Sequence, residues 1–101
     1  MSISRKKNKD TTTLSLSGEL TIYTVSQIKQ ELFAECDSLG SKVALDLQEL
    51  GEIDTAGVQL LLFAKKFFNR LGKVVFVTKT NEVVDGVFSL LDVNAYFAKE
   101  L

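Results

Sequence analysis

The tightest constraint on this chain is the junction Leu45-Asp46-Leu47-Gln48-Glu49-Leu50-Gly51-Glu52-Ile53-Asp54-Thr55-Ala56-Gly57-Val58. An apolar strand leaves through a short acidic loop, and an amphipathic helix starts at once. A strand that hands over directly to a helix, with further strands on either side, requires crossover connections between parallel strands. Such crossovers are right-handed in nearly all proteins, so few architectures remain.

The flanking segments fit that scheme. Residues 2–7 are expected as a short edge strand, turning at Asn8 to Asp10. Thr11–Leu20 alternates: Thr12, Leu14 and Leu16 face away from Thr11, Thr13, Ser15 and Ser17, as in a half-buried strand. Residues 24–39 have helical spacing. Val25, Ile28, Leu32, Cys36 and Leu39 share a narrow face, which makes Cys36 a core residue and Gly40 a C-cap. Phe33 falls about 100° from that face and is expected at the surface. Residues 42–47 form a strand with Val43, Leu45 and Leu47 on one side. The next helix, capped by Thr55 or Asp54, runs to about Leu71 and is closed by Gly72. Val74-Val75-Phe76-Val77 does not alternate, which suits a strand covered on both faces. A third helix is expected over residues 81–91, with Asn81 as cap and Val83, Val84, Val87, Leu90 and Leu91 turned inward. Gly86 inside it costs about 1 kcal/mol relative to alanine. Residues 93–101, with Tyr96 and Phe97, are expected as a last short strand or helical turn. The fold class is α/β: a mixed, largely parallel four- to five-stranded sheet with flanking helices, in one domain over residues 1–101.

Composition removes several functions. A chain of 101 residues buries one core without disulfides or metals. No apolar run approaches the ~20 residues that span a bilayer, and the polar, basic start is not expected to be a secretory leader. One cysteine excludes an internal disulfide, so a cytoplasmic protein is expected. The net charge of −1 argues against nucleic acid as a partner, and Arg5, Lys6, Lys7 and Lys9 read as a solvated terminal cluster. With no histidine, the common zinc sites and Ser-His or Cys-His nucleophiles are excluded. There is no glycine-rich phosphate loop. Asp46, Glu49, Glu52 and Asp54 cluster without a base beside them. No catalysis, cofactor or metal is expected.

The chemistry that remains sits around Thr55. On a wheel of about 100° per residue, Gly57, Leu60, Leu61, Ala64, Phe67, Phe68 and Leu71 form a core face. Gln59, Lys65, Lys66, Asn69 and Arg70 lie opposite. Val58 and Leu62 project among the polar residues, on the side of Thr55. They are either teeth of a partner surface or scattered exposed apolars. Gly57 admits either a close approach from outside or tight packing of the helix start. The Thr55 hydroxyl is either a helix cap or a phosphoacceptor. A phosphate there carries about −1.5 to −2 charges at a helix end that favours anions, opposed by Asp54.

The string Val43-Ala44-Leu45-Asp46-Leu47 through Ile53-Asp54-Thr55-Ala56-Gly57-Val58-Gln59-Leu60-Leu61-Leu62 resembles the signature of STAS domains. Ser17-Gly18-Glu19-Leu20-Thr21 resembles that family's first motif, and the element order agrees over nearly the whole chain. The resemblance implies a small bacterial protein akin to anti-sigma factor antagonists. In that family the hydroxyl at the position of Thr55 is phosphorylated by a partner that is both kinase and anti-sigma factor. Phosphorylation ends the binding and a phosphatase restores it. Carried over by position, Thr55 is the phosphoacceptor. Asp54, Gly57, Val58, Gln59, Leu62 and Thr21 are the expected partner contacts. The expected partners are a Ser/Thr kinase or anti-sigma-type regulator and a Ser/Thr phosphatase, with the chain itself a monomer or weak dimer. Thr21 departs from the aspartate common in sigma-regulating members, and Thr55 from their serine. A threonine there also resembles the members that bind an ABC-transporter ATPase. Gly18-Glu19-Leu20-Thr21-Ile22-Tyr23 resembles STAS proteins of chemotaxis or two-component signalling.

Three functions therefore compete for this sequence. The leading one is a phosphorylation-switched binding module. The second is a constitutive subunit resembling the small STAS component of a lipid-transport ABC system, in which Thr55 touches the ATPase and is never modified. The third is a phosphoaspartate receiver with Asp46 or Asp54 as acceptor. It lacks paired acids at an early strand end and has Lys79 as its one later lysine candidate.

Overall fold

The computed structural model describes residues 2–34 and 38–97. In chain order these form β1 (Ser2–Asn8), β2 (Thr11–Leu20), α1 (Val25–Phe33), β3 (Lys42–Ile53), α2 (Thr55–Arg70), β4 (Val74–Lys79) and α3 (Glu82–Leu90). A 3-10 turn over Asn94–Phe97 follows. The sheet order is β1-β2-β3-β4, with β1 antiparallel to β2 and the other pairs parallel. The class is the expected one, with four strands among the described residues.

Register explains which face is buried. Thr12, Val43 and Val75 lie in one row of the sheet, and Leu14, Leu45 and Val77 in another. Side chains alternate across a strand, so both rows point the same way. α1 and α2 are successive right-handed crossovers between neighbouring strands, which places them together over that face. Ile28 and Leu32 of α1 and Leu61, Ala64 and Phe68 of α2 are buried against it.

Several elements differ from expectation for identifiable reasons. β3 does not stop at Leu47 but continues to Ile53. Its buried residues there, Leu47, Leu50 and Ile53, recur every third position, because register shifts between Ser15 and Ser17 and between Gly18 and Glu19 break the alternation. A spacing of three imitates a loop in the sequence. α1 ends at Phe33, well short of residue 39. The Cys36 core assignment lies outside the described residues. Gly40 is not a helix cap: its N–H donates to Thr12 Oγ1 at 2.9 Å, and an added methyl would overlap the Asp10 carbonyl.

Phe33 is half-buried rather than exposed. Its ring packs 4.6 Å from Phe67 and 5.5 Å from Phe68, centroid to centroid, and joins α1 to α2. Leu71, expected inside, is exposed just beyond the end of α2. In α3 the inward residues are Val84 and Phe88, four apart on one face, with Val87 half-buried; Val83, Leu90 and Leu91 are exposed. That side of α3 packs toward β3 and the core, and Phe88 also stacks on the Phe97 ring at 5.0 Å.

Candidate functional site

The long β3 sets up the site. Leu20, the last residue of β2, pairs with Ile53, the last of β3. The two chains therefore emerge side by side, and the loop of residues 21–24 lies against the start of α2. Asp54 joins them. Its backbone is extended (φ −117°, ψ −173°), as an N-cap requires, and its Oδ1 accepts from the Gly57 N–H at 2.9 Å. Its Oδ2 accepts from the Ile22 N–H at 2.9 Å, and its own N–H donates to the Leu20 carbonyl at 3.3 Å. The Ile22 amide is the main cause of a lowered Asp54 pKa; partial desolvation opposes it and the Gly57 amide adds to it.

The loop is braced from within. Thr24 Oγ1 accepts from the Thr21 N–H at 3.0 Å and donates to the Glu19 carbonyl at 2.9 Å. Thr24 thus precedes α1 without capping it. Thr21 Oγ1 accepts from the Tyr23 N–H at 3.3 Å.

Asp54, not Thr55, is the cap of α2. Thr55 is the first helical residue; its side chain is exposed, and among the described residues no partner takes its hydroxyl. Gly57 is explained by an internal approach. A methyl there would overlap the Leu20 carbonyl oxygen and stand 3.0 Å from Leu20 Cγ and Ile53 Cγ1. The first turn of α2 rests on the end of β2 without room for a side chain.

The other expected contact residues divide. Gln59 is exposed and Leu62 half-buried. Val58 is 1% exposed, so the ridge of apolar teeth expected from Val58 and Leu62 does not form. α2 packs against α1 through Phe33 and Phe67, and Val58 belongs to the buried core cluster, so the buried arc of α2 is wider than the wheel division. Gly57 is buried, and Thr21 is 3% exposed. Neither offers a side chain to a partner, and both carboxylate oxygens of Asp54 are committed internally.

Sequence reasoning missed the exposed apolar pair next to Thr55. Ile22 is 62% exposed and Tyr23 93%, at the tip of the loop that Asp54 holds. The available signal was two large apolar residues between a strand end and a helix start, where neither element can bury them. A shallow groove of about 350 Å³ continues from Ala56 and Gln59 between α1 and α2, with Lys29 Nζ 4.8 Å over the Phe63 ring. A second cleft, of about 750 Å³, lies on the other flank of α2 against Leu91 and Tyr96.

Among the described residues, no three His, Cys, Asp or Glu side chains gather in the way a metal ion requires, and no helix is long and apolar enough to cross a membrane. Asp46 Oδ1 accepts from the Gln48 N–H at 3.1 Å within its own strand.

The strand-to-helix junction and the mixed sheet with its helices define an α/β fold of the STAS kind. The family model for "Mlab, STAS domain" matches residues 3–99, and the chain belongs to the STAS family. No curated protein matches the sequence. Among solved structures, an anti-sigma factor antagonist from Mycobacterium paratuberculosis superposes with a TM-score of 0.82 at 15% identity, over 99% of this chain and 86% of that one. The anti-sigma factor antagonist SpoIIAA in its unphosphorylated form gives 0.76 at 17%, over 99% and 88%. The Bacillus cell fate determinant SpoIIAA in its phosphorylated form gives 0.67 at 16%, over 99% and 91%. At these identities the likeness is one of fold.

Proposed function

We propose that this chain is a phosphorylation-switched protein-binding module of the anti-sigma factor antagonist kind, with Thr55 as its phosphoacceptor. The observation that carries the reading is the free, exposed Thr55 hydroxyl at a helix N-terminus that Asp54 already caps. A hydroxyl without a structural duty is free to react. Transfer of a phosphoryl group exchanges the hydroxyl proton for about −1.5 to −2 charges. The helix end accommodates that charge while the Asp54 carboxylate repels it, so the modification alters the surface more than the fold.

The surface it alters is suited to a protein. Ile22 and Tyr23 project beside Thr55, and large exposed aliphatic and aromatic residues at such a place mark contacts. Ala56, Gln59 and the groove beyond them extend it along α2. The unmodified form binds a Ser/Thr kinase that doubles as an anti-sigma-type regulator; modification releases it, and a Ser/Thr phosphatase resets it. The fold's occurrence in SpoIIAA, solved in both phosphorylated and unphosphorylated forms, supports this reading.

The experiment is a pull-down from cells with mass spectrometry, followed by binding measurements on variants with the kinase so found. Thr55→Glu is expected to weaken binding at least about tenfold, a loss of ~1.4 kcal/mol. Thr55→Ala is expected to bind like the parent and to resist release on addition of ATP. Parent-like binding and release by both variants would remove Thr55 from the mechanism. A constitutive subunit would show no shifted band for the cellular protein on a phosphate-affinity gel.

A further inference from the structure

β1 is an outermost strand. It pairs with β2 along its whole length, from Ser2 opposite Ser17 to Asn8 opposite Thr11, and its other edge has no partner strand among the described residues. Alternate residues therefore present backbone N–H and C=O groups to solvent. Arg5, Lys6 and Lys7 lie on this strand and Lys9 in the turn after it. Arg5 Nη2 donates to the Glu31 carbonyl of α1 at 2.7 Å. Asp10 is an acid within the influence of Lys7, but its two oxygens are taken by the Ser41 N–H and hydroxyl. Among the described residues none of the four cations has an ion-pair partner.

Cations along an edge strand oppose pairing with a second copy, because like charges fall opposite one another. That barrier depends on sign, and an acidic strand does not meet it. We propose that the free edge of β1 is a docking site for an extended acidic segment of a partner protein, which adds to the sheet as a further strand. Arg5 and Lys7 lie on one face of the sheet and Lys6 on the other, since side chains alternate. The charge is thus not gathered on one side, as an anionic membrane or a nucleic acid duplex would require. It matches a chain that alternates in the same way: consecutive acids in an incoming strand fall opposite all three cations. The main-chain ladder supplies affinity, and the charges choose partner and register. This site is independent of the Thr55 surface.

The probe is a blocked acidic peptide, Thr-Val-Glu-Glu-Glu-Val-Thr, titrated at low salt into the isotope-labelled full chain. Saturable NMR shifts and slowed hydrogen exchange at the outward amides of β1 are expected. The double variant Lys6→Glu/Lys7→Glu is expected to bind about tenfold more weakly or worse, equivalent to ~1.4 kcal/mol. A peptide N-methylated along its pairing edge keeps every charge but cannot form the ladder, and is expected to lose binding. Equal binding by that peptide would overturn the proposal in favour of charge alone. So would tighter engagement of β1 by phosphatidylserine vesicles than by the peptide, or no saturable change in β1 at all.

Discussion

At position 57 a hydrogen in place of a methyl lets the first turn of α2 rest on the Leu20 carbonyl. Backbone cannot yield there as a flexible side chain would. Gly57→Ala is therefore expected to cost about 1–3 kcal/mol in urea unfolding, despite alanine's better helix propensity. Asp54 acts one residue from the hydroxyl it frees. Its pKa is lowered from the ordinary 3.8, first by the Ile22 amide and then by that of Gly57, against partial desolvation. A group whose folded-state pKa is depressed stabilises the fold fully above its unfolded value, and this is lost as pH falls through the folded value. Stability is thus expected to hold from neutral pH down to about pH 5 and to decline below about pH 4. Asp54→Asn keeps one acceptor and turns an amide donor toward Ile22, so its acid decline should be shallower and its neutral-pH stability lower. With no histidine, no side chain with an ordinary pKa between about 5 and 8 complicates the measurement.

Helix α3 shows how an element can be legible in kind and misread in orientation. Its cap was readable: Asn81 Oδ1 accepts from the Val84 N–H at 2.9 Å. The same side chain also donates to the Leu50 and Gln48 carbonyls at 2.7 and 2.9 Å, tying α3 to the far half of β3. Which way the helix then faced depended on its packing against β3 and on Phe97, stacked on Phe88. Valines and leucines on both sides of α3 satisfy helical spacing, so periodicity could not choose between them. Gly86 lies on the outward side, with no atom within 4 Å of the place its Cβ would occupy. Gly86→Ala is expected to stabilise the protein by about 0.5–1 kcal/mol in chemical denaturation, by restricting the unfolded chain.

At the scale of the molecule, parallel crossovers gather the aromatic residues of α1 and α2 over one sheet face. Phe68 is fully buried where Phe33 and Phe67 meet the core. Phe68→Ala removes contacts to both helices and the sheet, with an expected cost of about 3–5 kcal/mol and a marked drop in melting temperature. The same architecture places the site. Shifted pairing between β2 and β3 lets both strands end together, which brings the Ile22–Tyr23 loop within reach of Asp54.

From local pattern alone the chain declared its alternating elements, the parallel character of its sheet, its caps at Asp54 or Thr55 and at Asn81, and the strand-to-helix junction of the candidate site. Those features rest on short-range physics: side-chain period, turn residues and amide capping. Tertiary contacts made the remaining choices. They assigned the cap to Asp54 and left Thr55 free, drew Val58 inward and Ile22 and Tyr23 outward, and explained Gly57 by Leu20. Each depended on which distant surface lay opposite, and spacing along one element carries no information about what packs against it.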